Sequence, residues 1–381
     1  MLEVSIVRSN EELTSLKDAW DACVERYPGS SVFVTWDWLH LWWVHYGRGQ
    51  PLRLVVARGE GRVLGLLPLY VQRRRMLAGF SSRVLRPVGR GGDTAPDYLG
   101  AIVDGDHEQE VLPALCQAVV ADRSWDAMDL TDFLEDSAFP AAMEAACREG
   151  GLRVHRRPFG RIPVAPLPAT WDAYLANMRR DQRHNVRRAR RRLVEEHKGR
   201  LFTWEDAASL DRAIDRLGEL HRLRWKDRAE SHSFSTEEYV AFHRDVMHAC
   251  HARGRLRLHC LELEGELVAM NYCYAFRDEM CLFQCGFEPR LEKLRPGYVL
   301  VGWSIEQAIA EGMRVFDFLK GEYAYKRIWA PDSRTTGLLH AYRSTPGGLL
   351  FGLRRHVLPD LRRRLRGASP AETPPEEPAQ G

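Results

Sequence analysis

The chain has 381 residues, 45% of them hydrophobic, which is enough for two domains with a core in each. Its 55 lysines and arginines nearly balance 52 acidic residues, so the net charge of +3 does not argue for nucleic acid as the partner. No stretch reaches the roughly 20 apolar residues of a spanning helix, and Met1–Val7 lacks the basic and apolar runs of a secretory leader. A cytoplasmic protein is expected, at most peripheral at the inner membrane face. The eight cysteines show no paired CxxC spacing, so buried reduced thiols are expected and a metal site is not.

In chain order, Val4–Arg8 reads as a strand, and Asn10 as the cap of a helix running to about Tyr27. In Phe33–Gly47, Trp36, Leu39, Trp43 and Tyr46 recur at helical spacing, the pattern of a packed face. Leu52–Tyr70 alternates on both sides of Gly61 and predicts a β-hairpin. A loop at Ala95–Gly100, a helix near His107–Ala121, a short strand carrying Asp129 and a helix near Ala138–Glu149 follow. Pro158, Pro163, Pro166 and Pro168 mark the crossing into a second half.

There, one helix starts near Thr170, another spans Ala207–Asp227, and Ser235 opens a capping box for Thr236–Arg253. Three strands are expected at Arg255–Glu262, Glu266–Arg277 and Glu279–Phe287, then a helix over Gly297–Glu311, a strand carrying Asp317 and a last strand at Gly337–Ser344. Leu256–Tyr274 aligns with Leu52–Tyr70 without a gap, its turn at Gly265. Each hairpin precedes a helix and then a short strand with an acidic residue. The expected fold is therefore α+β, two copies of one unit: 1–160, 161–366 and a disordered Pro- and Glu-rich tail, 367–381. Leu349–Gly367 is apolar and basic but interrupted by Pro359; it reads as a packed C-terminal helix or as a segment lying on an anionic membrane surface.

The stretch "FDFLKGEYAYKRIWA", Phe316–Ala330, sets one carboxylate, two phenols and an ammonium at the mouth of a buried strand. Asp317 falls on the face opposite Phe316 and Phe318. In apolar surroundings it suits a proton acceptor; its other reading is a buried acceptor for a backbone group or an arginine. Tyr323 and Tyr325 can donate to a leaving group or orient an amine. Lys326 can stabilise developing negative charge, or be a surface lysine beside Trp329. His221 is a second candidate base, with a plain helix-end contact as its other reading.

In Tyr174–Leu193 eight arginines (Arg179, Arg180, Arg183, Arg187, Arg188, Arg190, Arg191, Arg192) meet a single acid, Asp181. Leu175, Met178, Val186, Ala189 and Leu193 keep an apolar stripe, so the helix packs and turns its arginines outward. That face is either solvated or a wall for anions.

The element order of the second half resembles the GNAT acyltransferase fold. Over Thr170–Ala330 the resemblance is to CelD/BcsL-type GNAT proteins, related to the Fem-type aminoacyltransferases. It is carried by "YLANMRRDQRHNVRRARRRL", "ELHRLRW", "LELEGELVAM", "GFEPRLEKLRPGYVLVGWSIEQAI" and "FDFLKGEYAYKRIWA". The first half fits the tandem arrangement of the same relatives.

The resemblance implies two GNAT-like domains, the first degenerate, each a twisted, mostly antiparallel sheet flanked by helices. It implies an N-acyltransferase that takes an acyl group from acyl-CoA or an acyl carrier protein and gives it to an amine of a sugar, lipid or peptide. It places a pyrophosphate at Gly297 and Tyr298, with Lys293 and Arg295 adding charge. Arg183 and Arg187 match the family's recurring arginines, Arg224 and Trp225 line the acceptor side, Asn271 meets the acyl or amide portion, and Lys326 lies beside the transfer site. The usual glycine-rich loop is reduced here to Gly297, which opens an aminoacyl-tRNA donor, or a non-catalytic binding protein, as alternatives.

Overall fold

The computed structural model describes residues 1–76, 79–225, 233–321, 323–359 and 361. The tail 367–381 and the end of the helix expected to reach Asp227 lie outside the described residues. The chain forms two compact units, Met1–Gly160 with the chain from Thr335 onward, and Arg161–Arg334. The sequence pattern predicts the last strand and the segment after it in the second unit, whereas they pack with the first.

The first unit begins with β1 (Glu3–Val7), α1 (Asn10–Ser15), α2 (Lys17–Arg26), α3 (Trp36–Tyr46), β2 (Leu52–Gly59), β3 (Arg62–Arg75), β4 (Ser81–Pro87), β5 (Ile102–Val103), α4 (Glu108–Ala121), β6 (Ala127–Leu134) and α5 (Ala138–Glu149). Then come β7 (Arg153–Pro166), α6 (Trp171–Asn177), α7 (Arg180–Arg191), β8 (Arg200–Thr203), α8 (Leu210–Trp225), α9 (Glu237–Ala252), β9 (Leu256–Leu263), β10 (Glu266–Phe276), β11 (Glu279–Phe287), α10 (Pro296–Ala310), β12 (Val315–Asp317) and α11 (Lys326–Trp329). The chain closes with β13 (Asp332–Tyr342) and α12 (Pro346–Gly352), followed by a turn of π-helix at Leu353–Val357.

Three expectations are corrected. Ser9, not Asn10, is the first cap: its side chain accepts the Glu12 N–H at 3.2 Å, and the helix breaks at Leu16. Thr236, not Ser235, caps α9 by accepting the Tyr239 N–H. The proline-marked crossing is the strand β7, and its prolines are tolerated because they supply carbonyls: Pro163 accepts the Phe318 N–H at 3.0 Å.

The two units share one topology. In the first, β2, β3 and β4 form an antiparallel meander; β4 then runs parallel to β6, and β6 antiparallel to β13. In the second, β9, β10 and β11 form the meander, β11 runs parallel to β12, and β12 antiparallel to β7. Both hairpins turn through two left-handed residues: Glu60 (φ 54°) with Gly61 (φ 74°), and Glu264 (φ 52°) with Gly265 (φ 82°). That is the pairing a two-residue type I′ turn requires.

Alternating apolar residues on one face of the first sheet, among them Val71, Leu85, Met128 and Leu339, pack with Val111, Leu115 and Met143 from α4 and α5. The core beside the parallel pair of the second unit gathers Met280, Leu282, Ile305, Phe316, Phe318 and Trp329. Burying such side chains contributes about 2 kcal/mol each. All eight cysteines are free thiols, and all but Cys285 are buried.

Candidate active site

The second unit opens where its parallel strands part. The register of β11 with β12 runs from Glu279–Val315 to Cys281–Asp317 and stops. Beyond it β11 continues to Phe287, paired among the described residues with β10 along one edge only. Its other edge carries backbone groups that a bound extended chain can pair with. α8 crosses this end of β11 at close range. A Cβ on Gly286 would lie 2.5 Å from the His221 backbone nitrogen, so only glycine allows the approach.

That crossing brings Arg224 to β11. Its guanidinium donates to the Cys285 carbonyl at 3.4 Å and rests on the Cys285 sulfur. It also lies over three rings: Trp225 at 5.0 Å, Phe287 at 5.3 Å and Tyr325 at 5.6 Å from the centroids. Among the described residues no carboxylate pairs with it. Burial opposes its charge, yet Cys285 and Tyr325 beside it hold its pKa above the usual arginine value. The Tyr325 hydroxyl is 3.9 Å from the Cys285 sulfur. Burial, reinforced by Cys285, pushes that phenol well above its ordinary value, so it keeps its proton at neutral pH. Tyr323 stacks against Tyr325 at 6.2 Å and tilts on Trp225 at 5.4 Å.

Asp317 and Lys326 are built into the loop beneath. Asp317 is fully buried; one oxygen accepts the Leu319 N–H at 2.7 Å, the other the Arg334 guanidinium at 3.2 Å. Lys326, 4% exposed, donates to the carbonyls of Phe318, Leu319 and Lys320 at 2.8, 2.9 and 2.8 Å. The loop it clasps is held in left-handed backbone at Leu319 (φ 53°) and Gly321 (φ 104°).

His221 is buried, and among the described residues neither ring nitrogen has a hydrogen-bond partner within normal distance and angle; Gln284 is its polar neighbour. Burial, with the Arg224 charge adding, pushes its pKa down to about 4, so it is a neutral imidazole at pH 7. Asn271 lies in the core under α10, where its amide donates to the Ser304 hydroxyl at 3.0 Å. His259 meets the same hydroxyl at 2.8 Å, and Ser304 donates to the Leu300 carbonyl. Burial there pushes His259 down to about 3.

α10 begins beside the opening. Arg295 (φ 55°) precedes Pro296, which has no N–H, so Gly297 and Tyr298 are the donors of the first turn. A Cβ on Gly297 would stand 3.0 Å from the Phe287 ring, so the helix start, Phe287 and Arg224 form one continuous wall. The Tyr298 ring lies 4.9 Å from Trp329 and 5.8 Å from the Arg295 guanidinium. α7 packs along α10: Arg190 pairs with Glu306 at 2.5 Å, and Arg192 reaches the Lys293 carbonyl at 3.5 Å. Arg187 meets Asp172 at 3.4 Å in an exposed pair, and Arg183 caps the Ala176 carbonyl at 3.5 Å. Arg179, Arg180, Arg188 and Arg191 are exposed, with no carboxylate partner among the described residues.

The structure thus brings Arg224, Trp225, Tyr323 and Tyr325 together and sets Gly297 against their wall. It commits Asp317, Lys326 and Asn271 to internal hydrogen bonds. Cys285, Phe287 and Arg334 were not singled out from the sequence. Cys285 and Phe287 alternate on one strand and are neighbours of Arg224 only through the α8 crossing, which no local pattern announces.

Residues 180–327 match the family model described as an acetyltransferase (GNAT) domain. Among solved structures, FemX superposes with a TM-score of 0.60 at 12% identity, covering 88% of this chain and 96% of its own. A conserved protein of unknown function from Bacteroides thetaiotaomicron gives 0.57 at 12% identity, over 90% of this chain and 100% of that one. The C-terminal DUF2156 domain of a putative lysylphosphatidylglycerol synthetase from Agrobacterium fabrum gives 0.51 at 10% identity, over 91% and 96%. No curated protein matches.

Proposed function

We propose that this chain, with its GNAT domain and FemX-like tandem fold, is an N-acyltransferase that moves an acyl group from a thioester to a primary amine. The donor is acyl-CoA or an acyl carrier protein, and the acceptor a sugar, lipid or peptide amine of envelope or polysaccharide synthesis, anionic or close to a membrane. One observation carries this reading: a guanidinium with no carboxylate partner among the described residues and a phenol that keeps its proton stand together at the parting of β11 and β12.

The pantetheine arm lies along the free edge of β11, with its phosphates toward Gly297, Tyr298, Lys293 and Arg295 at the start of α10. The amine nitrogen, as free base, attacks the thioester carbonyl carbon. The Arg224 charge faces the negative charge that develops on the oxygen and then on the sulfur. As the C–S bond breaks, the thiolate takes a proton from the Tyr325 hydroxyl, and the nitrogen passes one of its own to the Tyr325 oxygen as the amide forms, which restores the phenol. Phe287, Trp225 and Tyr323 line the path and keep water from the acyl carbon. Asp317 and Lys326 hold the loop that carries Tyr323 and Tyr325.

A second reading, an aminoacyl-tRNA donor, is favoured by the exposed arginines of α7 that lack carboxylate partners. Thermal stabilisation by CoA, acyl-CoAs of increasing length, acyl carrier protein and tRNA separates the donors, because a ligand specific for the folded state raises Tm by mass action. With the donor found, Arg224→Met and Tyr325→Phe each lower kcat about 100-fold at unchanged Tm. Full turnover in both variants would sink this assignment.

A further inference from the structure

The first unit carries a second charged site, on the sheet face opposite α4 and α5. Tyr70, Gln72 and Arg74 of β3 lie on that face with Arg86 of β4, since Tyr70 pairs directly with Arg86. Asp129 of β6 and His340 of β13 extend the row, paired with each other. Asp129 is buried and shared by four cationic or ionisable groups. His340 lies 3.2 Å from its carboxylate, Arg74 3.5 Å, Arg355 3.8 Å and Arg86 3.9 Å. Arg74 and Arg86 have no second carboxylate among the described residues.

Their neutral partner is shared as well. The Gln72 side-chain oxygen takes both the Arg74 Nε, at 2.8 Å, and one Arg86 Nη, at 3.1 Å. Arg86 is 5% exposed, and its Nε, 3.9 Å from the Asp129 carboxylate, has no hydrogen-bond acceptor among the described residues. A buried guanidinium with an orphaned N–H is costly unless an acceptor completes it. Burial together with the Arg86 charge pushes the Arg74 pKa down to about 10, the sign of a cluster short of negative charge. Arg74 and Arg355 are the partly exposed members of the cluster, with side chains 25% and 31% exposed.

The place of this cluster in the fold matters. The parallel pairing of β4 with β6 ends at Leu85–Met128, and Arg86 and Asp129 are the next residues. This is the counterpart, within the first unit, of the point where β11 and β12 part in the second.

We propose that the first unit binds a phosphate group at this point, held by Arg74 and Arg86 with Arg355 at its rim. A phosphate offers several strong acceptor oxygens to guanidinium forks and, at about −1.5 to −2 charges near pH 7, answers the cationic excess better than a carboxylate. The first unit is then a binding module for a phosphorylated ligand, separate from acyl transfer in the second.

The test uses the full chain and inorganic phosphate, with pyrophosphate as a second probe and sodium chloride at equal ionic strength as control. Millimolar phosphate is expected to raise the wild-type Tm by about 3 °C over chloride. Arg86→Gln is expected to lose that rise while melting no lower than wild type in chloride, because one uncompensated charge is gone. Arg74→Gln, at a more exposed position, gives the same reading should Arg86→Gln fail to fold. No phosphate-specific rise in the wild type, or an equal rise in the folded variant, overturns the proposal.

Discussion

The Lys326 ammonium lies 2.8 Å from the Phe318 carbonyl oxygen and holds the Leu319 and Lys320 carbonyls at 2.9 and 2.8 Å. The three acceptors belong to one loop, bent through left-handed backbone. A lysine so engaged is a clasp: it neutralises converging carbonyl dipoles and fixes the chain that delivers Tyr323 and Tyr325.

Lys326→Met therefore leaves two buried carbonyls and one part-buried carbonyl without this donor. Hydrogen bonds to a charged group are worth about 1.5–3 kcal/mol each, so a stability loss of about 3 kcal/mol is expected after partial relaxation. Chemical denaturation measures it, and activity should fall in step with stability. A large fall in kcat with denaturation unchanged would instead make Lys326 a participant in the reaction.

Asp317 gives a parallel test. Its two oxygens serve Leu319 and Arg334, and Arg334 also holds Glu279 at 2.9 Å. Asp317→Asn keeps the acceptor for Leu319 but turns an amide toward a guanidinium. With Glu279 still in place, about 2 kcal/mol of stability should be lost. Arg334→Met should produce a similar loss, and the double variant less than the sum. If Asp317 were the proton acceptor, Asp317→Asn would abolish turnover while Arg334→Met spared it.

The hairpins, the acidic short strands and the repeat were legible because their signals are local. Period-two alternation and a glycine after an acidic residue specify a strand, a turn and a strand. β7 was hidden, since a strand holding Pro158 and Pro163 reads as a break until its carbonyls are seen at work. The roles of Asp317 and Lys326 stayed ambiguous because their partners are backbone atoms, or Arg334 seventeen positions on. The Arg86–Asp129–His340 row needs register across three strands, which no single segment encodes. The return of β13 to the first unit is equally a tertiary fact: its residues alternate as well for one sheet as for another.

His221 supplies a pH dependence. Its pKa falls from 6.5 to about 4 on folding, so between those values the unfolded chain binds the extra proton. Stability is complete above pH 6.5 and is lost as the pH falls through that window. The full effect is about 3 kcal/mol. Urea unfolding at pH 5 and pH 7 should show the wild type weaker at pH 5. His221→Leu should flatten the difference, leaving what His259, pushed down to about 3, contributes. An unchanged slope in His221→Leu would mean that His221 is hydrated in solution.

The arginines of α7 should behave oppositely to a stabilising charge network. Arg180, Arg188 and Arg191 are exposed, lack carboxylate partners among the described residues and share one helix. Like charges at helical spacing repel by a few tenths of a kcal/mol per pair. Replacing the three with glutamine should therefore leave Tm unchanged or raise it slightly, whereas Arg190→Gln, which breaks the 2.5 Å pair with Glu306 on α10, should lower it. If the face serves an anionic substrate, the triple variant also loses affinity, and its binding depends less steeply on salt. The two readouts are independent. Raised Tm with unchanged binding marks a merely solvated face, and weakened, salt-insensitive binding marks a surface kept positive at the expense of stability.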